Sequence, residues 1–125
     1  MKALSCVLML TALAGSQAYA GCTYPKAPEK IPDGSTATMQ EMLDGQQAVK
    51  AYNGQIKEYQ DCLADELKQS IAKADADKAT KEQKEQLEKM ADQKINAAQD
   101  EVEALTARFN EQIRVFKAKT AKPAS

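Results

Sequence analysis

Apolar residues recur at Met42, Val49, Tyr52, Ile56, Tyr59, Leu63, Leu67, Ile71 and Ala74. After a first gap of seven the steps are three and four, which is the period of a helix with one buried stripe. They predict a helix over 39–74. A second series, Leu87, Ala91, Ile95, Ala98, Val102, Leu105, Phe109, Ile113 and Phe116, keeps the same steps and predicts a helix over 80–118. Neither run contains a proline. Each opens on a capping box, Thr38-Met39-Gln40-Glu41 and Thr80-Lys81-Glu82-Gln83, with a hydroxyl at the N-cap and Glu or Gln at N3. Gly45 and Gly54 weaken the first helix by about 1 kcal/mol each relative to Ala. Residues 73–79 (KADADKA) read as the turn, because Asp75 and Asp77 favour turns and caps over helix interiors. Arg114, Lys117 and Lys119 complement the dipole at the end of the second helix, and Pro123 stops its continuation. Residues 120–125 are expected as a disordered tail.

Helices of about 35 and 39 residues are roughly 52 and 58 Å long. Matched lengths and a short connection predict antiparallel neighbours, an αα-hairpin over 38–119. The narrow stripes are those of a coiled-coil seam. The fold class expected is all-α.

The N-terminus follows a different pattern. Lys2 is followed by a continuous apolar stretch, Ala3 to Ala14, then by Gly15-Ser16-Gln17 and Ala18-Tyr19-Ala20. A charged start, an apolar segment and small residues before a cut are the order of a secretory signal peptide. The expectation is a signal peptide over 1–20, cleaved after Ala20, and a periplasmic or secreted protein. The apolar stretch falls short of the roughly 20 residues a membrane span needs, and no later stretch is as apolar, so no membrane span is expected.

Cleavage changes two counts. The 125-residue chain carries 17 basic and 18 acidic residues; without Lys2 the balance is 16 against 18, a net charge of −2. Cys6 is lost, leaving Cys22 and Cys62, and two cysteines in an oxidising compartment read as one disulfide. A competing reading takes Ala20-Gly21-Cys22 as the end of a lipobox, which makes the chain an envelope lipoprotein anchored at Cys22 with the hairpin as spacer. Tyr19 stands where that pattern has an aliphatic residue, and the anchor would leave Cys62 unpaired.

The segment 21–37 holds Pro25, Pro28 and Pro32, which disfavour helix and favour extended backbone, with a turn at Asp33-Gly34. It forms an extended N-terminal arm. Cys62 lies about 36 Å along the first helix, and the arm from Cys22 to Thr38 spans at most about 53 Å. The arm therefore reaches back along the hairpin to Cys62. A closed loop of about 40 residues is worth some 3–4 kcal/mol in the loop-entropy account. Tyr24, Ile31, Tyr52 and Tyr59 are the candidates for a third packing layer under the arm.

Chemistry is sparse. The chain has no His, so the commonest general base and metal ligand are both missing. It has no basic excess to mark a nucleic-acid partner. Asp75-x-Asp77 lacks the Gly and the later Glu of a calcium loop and reads as a polar turn. Asp61, Asp65 and Glu66 around Cys62 read as a solvated helix face, and such acids would raise a thiol pKa instead of activating it. No catalytic, cofactor-binding or metal-binding residue is assigned. The function expected is that of an exported, non-enzymatic helical protein acting through contacts with a second copy or a helical protein partner.

The order Cys22, Pro25, Pro28, Ile31-Pro32-Asp33-Gly34, Ala37-Thr38, then Ala48 to Tyr52 and Tyr59 with Cys62, resembles a group of small exported proteins of proteobacteria that carry no assigned activity. The likeness covers residues 22–62 and rests on cysteines, prolines and a cap. It implies export and no particular reaction.

Overall fold

The computed structural model describes residues 21–121. The expected signal peptide over 1–20 and the last four residues of the expected tail lie outside the described residues. Two helices, α1 (Met39–Ala76) and α2 (Lys81–Thr120), pack against each other as a hairpin. Among the described residues there is no strand. None of these helices is long and apolar enough to cross a membrane.

Both helices start at the expected caps. The Thr38 hydroxyl accepts from the Glu41 N–H at 3.2 Å, and the Glu41 carboxylate accepts from the Thr38 N–H at 2.7 Å. Those bonds hold the Glu41 carboxyl below the usual carboxylate range. Thr80 and Gln83 repeat the exchange at 3.2 and 2.9 Å.

The turn is shorter than the 73–79 expected, and α1 runs two residues past 74. Lys78 explains it. Its φ is 54°, in the left-handed region. Its N–H donates to the Asp75 carbonyl at 3.1 Å, and the Ala79 N–H donates to the Ala74 carbonyl at 2.8 Å. This pair of bonds is a Schellman ending, which usually carries Gly at the position Lys78 fills. With no Gly there, the stop signal is absent from the sequence. Asp75 lies in the last helical turn and accepts from Lys84 of α2 at 2.8 Å. Lys78→Gly is expected to stabilise the hairpin by about 0.5–1 kcal/mol, since Gly adopts this φ without a Cβ clash; the urea midpoint of the variant checks it.

α2 likewise continues past 118. Thr120, assigned to the tail by sequence, is helical, and its hydroxyl donates to the Phe116 carbonyl at 3.1 Å.

Burial along the seam is uneven. In the half nearest the helix ends, Met42, Val49, Tyr52, Ile56, Leu105, Phe109 and Phe116 are buried in one cluster with Ala37 and Ala98. Towards the turn only Leu63 is buried, while Leu67, Ile71, Ala74, Leu87 and Ala91 are half-buried. The hairpin thus has a near half, at the helix ends, and a far half, at the turn. Both halves step at helical period, but the near half carries the aromatic residues Tyr52, Phe109 and Phe116 and has a further segment over it.

Candidate functional site

The near half is covered by the arm. Cys22 is brought to Cys62, with the sulfurs at disulfide distance and the Cα atoms 5.8 Å apart. From there the arm runs back towards the helix ends along the groove between α1 and α2. Tyr24 meets Tyr59 edge to face, with ring centroids 5.0 Å apart, and its hydroxyl donates to the Glu101 carboxylate of α2. Burial and that carboxylate both push the Tyr24 phenol up from its ordinary value. Ala27 and Ile31 pack against the buried cluster. Of the four residues expected in a third layer, Tyr52 is buried, Ile31 and Tyr59 are half-buried, and Tyr24 is exposed on one side.

Two glycines seat the arm. A Cβ on Gly45 would stand 2.5 Å from Pro32 Cγ and 3.0 Å from the Phe109 ring, so the missing side chain is the space the proline occupies. A Cβ on Gly34 would collide with the backbone carbonyl of Gln112 and stand 2.8 Å from the Phe116 nitrogen. The Gly34 N–H donates to the Gln112 side-chain oxygen at 2.9 Å. The arm then turns: Asp33 accepts from the Ser35 N–H at 2.8 Å, its carbonyl accepts from the Ala37 N–H at 2.7 Å, and Ala37 enters the core. Lys119 closes the end, donating to the Ala37 carbonyl at 2.9 Å and lying 4.9 Å over the Phe116 ring.

Gly34→Ala is expected to undock the tip of the arm, at a cost of about 1–3 kcal/mol for forced overpacking against backbone that does not yield. Faster amide exchange at residues 33–37, with α1 and α2 little changed, is the readout. Tyr52 gives the opposite expectation. It is 2 % exposed, and its hydroxyl is buried beside the Tyr24 hydroxyl and the Glu101 carboxylate without a well-formed hydrogen bond to either. Burial pushes this phenol up as well. Tyr52→Phe removes an unsatisfied polar atom and keeps the ring, so thermal stability should be unchanged or higher by about 1 kcal/mol.

Gln112 and Lys119 carried no signal in a single sequence, because their partners are backbone groups of a distant segment. Gly45 did carry one. It sits on the apolar stripe of α1, inside the gap of seven between Met42 and Val49. A small residue on a buried stripe marks where a neighbour comes close.

The candidate chemical groups stay apart. Lys57 pairs with Asp61 at 3.1 Å and Lys68 with Asp65 at 3.7 Å, both at exposed helical spacing. Asp77 caps α1. Among the described residues no group of three or more His, Cys, Asp or Glu is placed to hold a metal ion.

Beyond Cys22 the groove continues without the arm. Leu63, Leu67, Leu87, Met90 and Ala91 line a hollow of about 160 Å³, with Glu66 and Lys94 at its rim. Met90 is 47 % exposed. Thus one groove is filled by the arm in its near half and open in its far half. The chain matches no family model, no curated protein and no solved structure in the comparisons made.

Proposed function

We propose that this chain is an exported helical protein that works through protein contacts and not through catalysis. The observation that carries this reading is the open far half of the groove. Half-buried Leu67, Leu87 and Ala91 and exposed Met90 line one apolar strip. Strips of this kind, rimmed by charge, are used for docking. The lack of His and the scattered carboxylates support the non-catalytic part of the reading.

Export is supported by the charged start, apolar segment and Ala18-Tyr19-Ala20 ending. A cysteine pair at disulfide distance suits an oxidising compartment. The same pairing favours the free form over a lipid anchor, because a diacylglyceryl thioether at Cys22 would leave its sulfur unable to bond Cys62. The test is the intact mass of the protein taken from the cell envelope, with crosslinking of whole cells beside it. Expected are a chain starting at Gly21, lighter by two hydrogens than its dithiol, and a crosslinked species larger than the chain. A lipidated Cys22 or a retained leader overturns the free exported form. A chain that never crosslinks overturns action through contacts.

A further inference from the structure

The strip has a self-complementary rim. On the α1 side of the open groove, Glu66, Ser70 and Lys73 follow one another at steps of four and three and line the hollow next to the Cys22–Cys62 pair. Ser70 lies midway between a negative and a positive charge. Among the described residues neither Glu66 nor Lys73 forms an ion pair within the chain. Ser70 also shares the groove with Leu87 of α2, so the two mark one level across the hairpin. From 63 to 94 the chain carries seven lysines against eight acidic residues, so a second far half meets no strong repulsion.

We propose that the far halves of two copies of this chain pack face to face, end over end, about a two-fold axis near Ser70 and Leu87. This deepens the contact reading above and rests on it. A two-fold axis makes the same patch meet itself, residue i facing j and j facing i. Turning the hairpin end over end about Ser70 brings Glu66 of one copy to Lys73 of the other, and the pair occurs twice. Leu87 meets its own copy near the axis, and Leu67 and Met90 close over the apolar strip.

The arm selects this arrangement. A two-fold axis along the helices would press both arms together in the same groove, because each arm fills its near half from Cys22 to Ala37. End over end, the arms lie at opposite ends and only the uncovered halves overlap. The product is a central four-helix section flanked by two arm-covered ends.

The test uses protein purified after expression of the full 125-residue chain, under non-reducing conditions. Sedimentation equilibrium over a range of concentrations should show a reversible monomer–dimer step. Met90→Glu alters an exposed side chain, so far-UV helicity should stay while the dimer is lost. Glu66→Lys sets like charges opposite at both rim pairs and should weaken the dimer about tenfold. The double variant Glu66→Lys with Lys73→Glu swaps both signs and should recover most of the lost affinity, which a merely structural effect would not do. A strictly monomeric chain overturns the proposal, and so does a dimer indifferent to these variants. A photocrosslinker placed at position 90 and activated in whole cells separates self-pairing from contact with another protein. Links to Ala74 or Gln83 of a second copy support self-pairing. Links only to a different protein overturn self-pairing and leave the contact reading standing, and no links at all overturn both.

Discussion

Replacing Cys62 with Ser, or adding reductant, is expected to lower stability by about 3–4 kcal/mol, the loop-entropy value for a closed loop of this size. The pair spans 40 positions. The bond joins the arm to α1, and α2 has no cysteine, so the helices themselves are not tied together by it. The loss should therefore be local in character. Residues 22–37 should become open to protease, while far-UV helicity at low temperature falls only modestly. The remaining arm contacts, Tyr24 on Tyr59 and Glu101, Pro32 over Gly45, and Gly34 on Gln112, should leave it partly docked. Unchanged melting and unchanged protection of the arm on reduction would refute the fastening role. Two free thiols in non-reducing peptide maps of protein from the envelope would refute the bond.

Phe109→Ala should be as damaging as any single truncation in the chain, about 3–5 kcal/mol. Phe109 is 3 % exposed, belongs to the near cluster, and lies beside the seat where Pro32 crosses Gly45. It thus joins α2, α1 and the arm. Leu87→Ala, made on the same stripe of the same helix, should lose only about 1–2 kcal/mol, because Leu87 is half-buried and buries less area. Urea midpoints measured on dilute protein keep self-association out of the comparison. Equal losses at the two sites would contradict the uneven core.

That unevenness marks the boundary of what one sequence displays. Apolar periodicity and the two capping boxes located both helices and both N-caps, since these are local signals. The cysteine pair and the arm's reach followed from counting and chain geometry. Periodicity is blind to a third layer, however. Val49, Tyr52 and Ile56 step by three and four, Leu63, Leu67 and Ile71 by four and four, and both sets read as one face of a helix, as do Leu105, Phe109 and Phe116 beside Leu87, Ala91 and Ile95. Which set is buried depends on where a distant segment lies. The exact edge of the turn is hidden for a related reason: Lys78 takes a conformation that its residue type does not advertise. In the candidate site, Tyr24, Ile31 and the cysteines were visible as attachment points. Gly45 is marked by its place on the apolar stripe, but what it seats, and the seat at Gly34, follow only from the positions of the opposing atoms.

The arm's partners also set a schedule for folding. Gly34 bonds Gln112, and Ala37 accepts from Lys119, across separations of 78 and 82 positions. A chain is made from its N-terminus, so residues 34–37 wait for nearly the last of the described residues before the tip of the arm has a seat. The hairpin needs only its own local turn and closes early; the arm pays for its long-range contacts afterwards. Until Gln112 and Lys119 have been made, the tip of the arm has no seat, although Cys22 and Tyr24 already have Cys62 and Tyr59 to meet. A released chain ending at Asn110 should therefore leave residues 33–37 open to protease while Cys22 still pairs with Cys62.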